Sequence, residues 1–555
     1  MGGKRSGRTF GFRRVPALRL CAGRRRAIGR GCSGRRSGRA PKELTLKYLA
    51  VISVMVALAS CAEPGPPPGV PAELRAIVEA NRAIALPPLH PDFSDRIGEF
   101  ALPDFDREMA ARVARVMRQV DGFSLREMTY VRSVDRPVAD GAAISRAAAA
   151  AEIEHLFEFL PIAWAGYQYH GGDAVFLPLR DMMLERLALM SDPLPVMSYL
   201  HDLLVPYLSL AIADNHFQIH DFTFRAPDRV AFMSDGITLR ARGGGFEWEI
   251  DGSVYLVLET ALADGRAVSG IKPTITREGE FAFAFGHLAT SGDPGAEEMR
   301  ATLECAATGE RRDRAVRLSP VFHSGLPRHP VIASREEGGV LVVENRVFPG
   351  AHDGGARGSV FYMHGMEARD RPVAILDIRR HGGGIDLPAI WWIGGFAGME
   401  HGVSESAAFL RFGRSHPDSL ARFPAGATGS PGAPLGWAPP FPSRGDALVI
   451  PHDNTLVVLM DKGTSSAGEL FVAYLRQLEN ALFVGTNTHG NLVTGGMTRS
   501  RLPYSGLDIM YGSRVHLRPD LSPFEGIGFM PDLWVPPGEA LERALAFIER
   551  YGLNR

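Results

Sequence analysis

The segment from residue 455 to 478 most constrains what this chain can fold into, because an apolar run leads through a short polar turn into a helical pattern. Leu456 to Met460 is apolar, Asp461 to Ser465 is polar, and a helix is predicted to begin at Ser466. This order places Ser466 at the edge of a sheet, with a helix N-terminus behind it that stabilises developing negative charge. Such a serine can be a nucleophile if a base reaches it. Ser466 and Glu469 also match a capping box, which needs no chemistry.

Three other segments combine a strand pattern with glycine turns. They are Val373 to Gly384, which ends in three glycines, Ala481 to Gly490, and Phe524 to Val535. In this order and spacing, the four segments resemble the catalytic core of the C-terminal processing peptidases, which include the tail-specific proteases. They are most similar to the tricorn and interphotoreceptor retinoid-binding protein branch of that family. The resemblance covers about residues 340 to 550, and residues 150 to 225 more loosely.

The expected fold class is an α/β core with a helical N-terminal domain and a β-rich insert. After residue 340, apolar strands alternate with helical segments, which indicates βαβ units; the resemblance implies a ClpP/crotonase-like core. Residues 73 to about 212 show helical spacing of apolar residues, and alternation begins at Phe217. The predicted division is a signal segment over 1–61, a tether over 62–72, a helical domain over 73–224, the insert over 225–340 and the peptidase core over 341–555.

The net charge of −1 hides a strong segregation of charge. Residues 1–61 hold 15 of the 61 Lys and Arg but only one acid, Glu43, which leaves 46 basic against 61 acidic residues in the remainder. An acidic body argues against nucleic-acid binding. The basic N-terminus is better explained as a targeting segment, although a basic arm attracted to RNA or membrane is an alternative.

Residues 42–61 have the features of a bacterial lipoprotein signal. Two lysines precede the apolar run Tyr48 to Ala59, which is too short to span a bilayer comfortably and ends in Leu-Ala-Ser before Cys61. We therefore expect cleavage before Cys61, lipidation of its thiol, and a bacterial envelope location. The location would be lipid-anchored or, if Cys61 is incidental, periplasmic or secreted. Residues 1–41 are long for such a signal, so translation could begin near Leu44 or Leu46.

The family resemblance implies roles for particular residues. Many members pair the serine with a lysine, but the corresponding position here is Asn491, and Lys462 does not match it. The tricorn-like branch uses serine, histidine and glutamate instead. By this resemblance Ser466 is the nucleophile, His216 the base and Glu525 the residue that orients His216 and stabilises its cation. Asn215 replaces a serine that in this branch precedes the histidine.

The oxyanion of the reaction needs two backbone donors that point at one place. The resemblance assigns them to Ala467 and to Gly382 or Gly383. His364, His381 and His489 are rival bases. His489 is the strongest of them because it lies beside the turn that carries the lysine in other members.

His216 has alternative interpretations as well. His216, Gln218 and His220 would share one face of a strand, which is a metal-ligand spacing, but no convincing third ligand is in sight. A buried, hydrogen-bonded structural histidine is a further alternative. The four cysteines include no CxxC pair, so a cysteine-built zinc site is excluded. We expect neither metal nor cofactor.

The sequence therefore predicts a serine peptidase that acts on peptide or protein substrates, with an undetermined oligomeric state. The alternatives are a non-enzymatic protein that binds apolar ligands on the same fold, and an envelope scaffold with a vestigial site. Trp391, Trp392, Phe396 and Phe409 near the cleft fit an apolar binder but also fit ordinary core packing.

Overall fold

The computed structural model describes residues 70–93, 141–322, 325–327, 331–349, 354–398, 409–414, 437–438 and 449–555. The predicted signal segment, with Cys61, and most of the tether lie outside these residues. The described residues form a mixed α/β structure. None of their helices has the length and apolar character that crossing a membrane requires.

The helices, numbered in chain order, are α1 Ala72–Ala85, α2 Arg146–Ala163, α3 Gly166–Tyr169, α4 Asp173–Ala188, α5 Val196–Ser198, α6 Val205–Leu208, α7 Gly354–Arg369, α8 Leu387–Ala397, α9 Ala467–Leu475 and α10 Ala540–Tyr551. A π turn over Tyr199–Leu204 joins α5 to α6. Helix α2 begins at Arg146 because the Ser145 side chain accepts the Ala148 N–H and so caps the helix at that point.

The C-terminal part of the described chain contains a six-stranded sheet. Its strands, in spatial order, are β14 Ile332–Glu337, β15 Val340–Asn345, β16 Val373–Asp377, β19 Thr455–Met460, β20 Ala481–Gly485 and β23 Leu533–Trp534. All neighbours from β15 to β23 are parallel, and β14 is antiparallel to β15. The strands before the glycine run, before Ser466 and at Ala481–Gly485 are therefore neighbours in this sheet. Strands β16, β19 and β20 are buried throughout, as expected of a parallel sheet.

A nine-stranded antiparallel sheet occupies residues 229–321. Its strands are β5 Arg229–Met233, β6 Leu239–Arg242, β7 Gly245–Ile250, β8 Ser253–Leu262, β9 Ile271–Ile275, β10 Phe281–Thr290, β11 Glu298–Cys305, β12 Arg311–Arg317 and β13 Ser319–Val321. It contacts the six-stranded sheet where the Thr274 hydroxyl donates to the Trp534 carbonyl at 2.6 Å. The β-rich pattern of the sequence thus corresponds to one sheet, while β14 and the first residue of β15, inside the predicted insert, belong to the six-stranded sheet.

A third sheet joins the segment after His216 to the C-terminal part of the chain. Its strands are β3 Gln218–Ile219, β4 Phe222–Thr223, β17 Leu410–Arg414, β18 Trp437–Ala438, β21 Thr494–Arg501 and β22 Asp508–Leu517. Ile219 pairs with Ile509 on β22. The remaining strands, β1 Ala143–Ile144 and β2 Leu194–Pro195, form a small pair. The helices of residues 146–208 share a hydrophobic core with β3 and β22, so the segment that carries His216 is held on the C-terminal hairpin.

Candidate active site

Ser466 lies at a sharp turn between β19 and α9. Its backbone has φ 56° and ψ −124°, a conformation that a non-glycine residue adopts only when its surroundings impose it. The Ser465 N–H donates to the His381 carbonyl at 2.9 Å, and the Thr464 hydroxyl donates to the Ile378 carbonyl at 2.8 Å. Both bonds fix the turn against the end of β16. A strained strand-to-helix turn of this kind exposes a side chain for nucleophilic attack.

Glu469, one turn into α9, does more than cap the helix. The capping box is formed, and the Ser466 N–H donates to the Glu469 carboxylate at 3.1 Å. The same buried carboxylate accepts the Thr488 hydroxyl at 2.6 Å, the Gly490 N–H at 2.7 Å and the Asn491 N–H at 2.8 Å. Burial raises the pKa of Glu469, while these donors act to lower it. One carboxylate therefore ties the Ser466 turn to the turn at residues 488–491.

His216 is buried, in a short segment between α6 and β3. The His216 backbone N–H donates to the Asp214 carboxylate at 2.8 Å. The same carboxylate accepts the Trp164 indole N–H at 3.0 Å and the Thr494 hydroxyl at 2.8 Å. Burial lowers the pKa of His216, although Asp214 and the Thr494 backbone act to raise it. A neutral imidazole is the form that can accept a proton. Its Nδ1 atom is buried and has no hydrogen-bond partner within the described residues.

Asn215 and Glu525 meet beside His216. The Asn215 N–H donates to Glu525 Oε1 at 3.0 Å, and its side-chain amide donates to the Gly490 carbonyl at 3.1 Å. Glu525 Oε2 accepts the N–H groups of Leu492 at 3.3 Å and Val493 at 3.0 Å. In the described residues no hydrogen bond joins Glu525 to the His216 ring, so the contact between the two segments runs through Asn215.

Burial and the neighbouring Asp214 carboxylate raise the pKa of Glu525 to about 8. The backbone donors from Asn215 and Val493 act in the opposite direction because they favour the ionised carboxylate. Protonation of Glu525 near neutral pH would remove the negative charge that could balance a His216 cation. The charge state of Glu525 is therefore a pH-sensitive feature of this site.

The residues from 490 to 494 connect the two halves of the site. At one end, the Gly490 and Asn491 N–H groups bind Glu469, which holds Ser466. At the other end, Val493 binds Glu525 and Thr494 binds Asp214, which holds His216. The structure thus joins the Ser466, His216 and Glu525 segments through one hydrogen-bond network.

The glycine turn after β16 packs directly against Ser466. A Cβ atom added to Gly383 would lie 2.9 Å from Ser466 Cβ, and Gly383 has φ 89°. The Gly383 N–H donates to His381 Nδ1 at 3.2 Å, and the Gly382 N–H donates to the Arg346 carbonyl at 3.0 Å. Ala467 supplies the first amide of α9, for which the described residues offer no hydrogen-bond acceptor. Of the three predicted oxyanion donors, only Ala467 is unengaged in this conformation.

Asp377 anchors the start of the glycine turn. Its buried carboxylate pairs with Arg346 at 2.7 Å and with Arg379 at 2.6 Å. Burial raises the pKa of Asp377, but the two guanidinium groups outweigh this effect and lower the pKa to about 2. Arg346 also donates to the Asp377 and Arg379 carbonyls. Asp377 is accordingly an ionised structural group that fixes the start of the glycine turn.

The rival bases occupy three different settings. His381 is fully buried, its Nδ1 accepts the Gly383 N–H, and burial lowers its pKa to about 3. His489 donates its N–H to the Thr464 carbonyl, and its Nδ1 lies 3.2 Å from the Lys462 carbonyl. His364 is on α7, where it pairs with Glu367. His489 and His381 both contact the turn that leads to Ser466 through backbone hydrogen bonds.

Lys462 occupies a site that its sequence position did not suggest. Its ammonium donates to the carbonyls of Thr488, His489 and Gly526 and forms an ion pair with Asp228 at 2.7 Å. Burial lowers the pKa of Lys462, although the ion pair with Asp228 acts to raise it. In the described residues no hydrogen bond joins the Lys462 amine to Ser466. These residues also contain no group of three or more His, Cys, Asp or Glu arranged to hold a metal ion.

Known proteins resemble this chain in one region of sequence and in fold. No curated protein sequence matches it. Among solved structures, mature CPAF complexed with lactacystin aligns at 14% identity over 73% of this chain and 97% of that chain, with a TM-score of 0.35. The photosystem II D1 C-terminal processing protease aligns at 14% identity over 73% and 99%, with a TM-score of 0.34. The tricorn protease aligns at 15% identity over 73% and 37%, with a TM-score of 0.30.

The similarity in sequence covers the part of the chain that holds Ser466 and Glu525. Residues 361–535 match the family model described as peptidase family S41. This range begins in α7, includes the glycine turn, the Ser466 turn and the Glu525 turn, and ends after β23. The region that contains the candidate active site is therefore similar to a family of serine-type peptidases.

Proposed function

We propose that this chain hydrolyses peptide bonds of protein substrates in the bacterial cell envelope, with Ser466 as nucleophile, His216 as base and Glu525 as the group that balances the His216 cation. The observation that carries the proposal is the Ser466 turn, with its positive φ, its helix N-terminus and the glycine turn against its side chain. The parallel sheet and its helices would form a ClpP/crotonase-like core, with the helices before residue 212 forming the N-terminal domain.

The reaction follows from the roles of these groups. Ser466 Oγ attacks the carbonyl carbon of the peptide bond while His216 takes its proton. The tetrahedral oxyanion binds the Ala467 N–H and a glycine-turn amide. His216 then gives its proton to the leaving amine, and water releases the acyl group by the same steps in reverse. The Gly383 N–H would have to exchange His381 Nδ1 for the oxyanion.

The neutral state of His216 supports its role as base. Burial lowers its pKa, and the adjacent Asp214 carboxylate would stabilise the cation that forms during the reaction. Asn215 contributes a backbone donor to Glu525, so Glu525 would stabilise the His216 cation through its charge rather than through an intervening serine hydroxyl.

The test is labelling of the purified full-length chain with a fluorophosphonate probe, alongside Ser466→Ala, His216→Ala and the rival variant His489→Ala. We expect labelling in the wild type and His489→Ala, and its loss in the other two while both remain folded. Labelling that persists in Ser466→Ala would refute the nucleophile. A folded wild type that does not label would favour the alternative of an apolar-ligand binder, which a screen with fluorescent fatty acids would then address.

We also propose a lipid anchor at Cys61, on the sequence pattern alone. The apolar run followed by Leu-Ala-Ser-Cys is typical of a lipoprotein signal, and the Pro- and Gly-rich residues after it would be a tether. Metabolic labelling with radioactive palmitate in a bacterial host should mark the wild type and not Cys61→Ala. Equal labelling of both proteins would rule out this anchor.

A further inference from the structure

Lys462 holds a buried charge at the centre of the site. Its side chain is 6% exposed, and its ammonium lies 2.7 Å from the His489 carbonyl, 3.1 Å from the Gly526 carbonyl and 3.4 Å from the Thr488 carbonyl. Asp228 completes the set at 2.7 Å. A buried ammonium is costly unless each of its protons has an acceptor, and here four acceptors surround it. These four acceptors therefore form a cage around the Lys462 ammonium.

The acceptors belong to the two turns that organise the proposed reaction. Thr488 and His489 precede Gly490 and Asn491, whose N–H groups bind Glu469. Gly526 follows Glu525, and its own N–H donates to the Gly490 carbonyl at 2.7 Å. Since Lys462 is itself part of the turn that ends at Ser466, one side chain links all three segments.

The fourth partner comes from the antiparallel sheet. Asp228 directly precedes β5, and the Arg229 N–H donates to the Gly526 carbonyl at 2.9 Å. The Asp228 side chain is 43% exposed, so it forms the outer wall of the cage. The sheet of residues 229–321 is thus bonded to the turn that carries Glu525.

We propose that Lys462 is a positioning residue of the peptidase reaction, which fixes the Glu525 turn and the Glu469-binding turn against the Ser466 turn. This inference rests on the proposed roles of Ser466 and Glu525. In the described residues the Lys462 amine contacts three carbonyl oxygens and one carboxylate and not Ser466, so we assign it a positioning role rather than that of a base. The family's lysine position, Asn491, lies in one of the turns that Lys462 holds.

The charge of Lys462 has a second consequence. The acids that face its ammonium are Asp228, Glu469 and Glu525, and the neighbouring base is His489. Glu525 also faces Asp214 and Glu469, both of which disfavour its ionisation. A cation next to this group of carboxylates favours their ionised forms, so its removal should move the pH at which the enzyme gains activity upwards.

The experiment compares Lys462→Met, Lys462→Arg and Asp228→Asn in the full chain. Methionine keeps the length of the side chain and removes the charge, arginine keeps the charge, and Asp228→Asn removes only the exposed partner. The rate of fluorophosphonate labelling is measured from pH 6 to 10. We expect Lys462→Met to be slower by about 100-fold, as for a small misplacement of catalytic groups, with its pH midpoint about one unit higher. Lys462→Arg should keep the wild-type midpoint, and Asp228→Asn should lose about threefold.

Hydrogen–deuterium exchange separates this proposal from the proposed function. Segments 488–493 and 524–528 should exchange faster in Lys462→Met than in the wild type, whatever the protein's activity, while β16 and β19 stay protected. Should Lys462→Met not fold, Asp228→Asn should show a smaller increase in the same two segments. The role of Lys462 would be overturned if the wild type labels and a folded Lys462→Met variant has the same labelling rate, the same pH midpoint and the same hydrogen–deuterium exchange. That result would leave the role of Ser466 intact.

Discussion

The buried Glu469 carboxylate accepts the Ser466 N–H at 3.1 Å and also accepts the Thr488 hydroxyl and the Gly490 and Asn491 N–H groups. The residue that caps the helix is therefore also the residue that holds the proposed nucleophile against the next turn. A capping box usually serves only the helix to which it belongs. Here its acid connects two segments that the chain separates by about twenty residues.

Glu469→Gln should slow labelling of Ser466 and destabilise the fold. The amide has one acceptor oxygen, and its NH2 group would face N–H donors, so at least one buried bond is lost at a cost of about 2 kcal/mol. We expect the labelling rate to fall about tenfold or more, because the Ser466 turn loses its link to residues 488–491. Labelling kinetics and thermal unfolding measure the two effects. Glu479→Gln, an exposed acid beyond the same helix, is the control and should change neither.

Gly383→Ala should damage the site, whereas Gly382→Ala should be tolerated. A Cβ at Gly383 would lie 2.9 Å from Ser466 Cβ, and its φ of 89° disfavours any L side chain. A Cβ at Gly382 would meet nothing within 4 Å. We expect Gly383→Ala to lose labelling by about 100-fold while Gly382→Ala stays within about threefold. Equal rates in the two variants would mean that Ser466 does not need this close approach.

Asp214→Asn should weaken both the fold and the proposed base. The Asp214 carboxylate is buried and accepts the Trp164 indole, the His216 N–H and the Thr494 hydroxyl. An amide provides fewer acceptors and no charge to stabilise a His216 cation, so we expect a loss of about 3 kcal/mol in unfolding free energy and about tenfold in labelling. Chemical denaturation and labelling kinetics measure these losses. Asp221→Asn, which changes an exposed acid nearby, is the control, and a similar loss in that variant would contradict the assignment.

The sequence predicted what depends on local pattern. Apolar runs before Gly382 and before Ser466 predicted neighbouring strands, and the polar turn before a helical pattern predicted the position of Ser466. These features follow from residues close in sequence, whose periodicity and turn chemistry are readable.

The remaining features depend on contacts between distant residues. Asn215 reaches Gly490 and Glu525 across 275 and 310 positions of the chain. Lys462 donates to carbonyl oxygens, which every residue type provides, so nothing in the composition of residues 488–526 marks its partners. Glu469 carried only the signal of a helix cap. A charged residue with few local partners beside a predicted nucleophile is the signal that could have indicated both roles.

Glu525→Gln should change the pH dependence of the enzyme. The pKa of Glu525 is raised to about 8 by burial and by Asp214, so the carboxylate that would balance the His216 cation is mostly protonated below that pH. We expect wild-type labelling to increase as the pH rises through about 8. Glu525→Gln should label slowly at all pH values, without this midpoint. A wild-type midpoint near 8 that persists in Glu525→Gln would assign the titration to another group.

The raised pKa of Glu525 also predicts how stability depends on pH. The unfolding free energy should fall as the pH rises, whereas the labelling rate should increase. Because the native state raises the pKa of Glu525 above its ordinary value of 4.5, the folded protein holds this proton more tightly than the unfolded chain. The resulting stabilisation is complete below pH 4.5 and is lost as the pH rises through about 8. The unfolding free energy of the wild type should thus fall relative to that of Glu525→Gln between pH 5 and 8. Urea denaturation of both proteins at each pH measures this difference. The contributions of Glu152 and Glu469 cancel because both acids are present in both proteins. A difference in unfolding free energy that does not change with pH would contradict the raised pKa of Glu525.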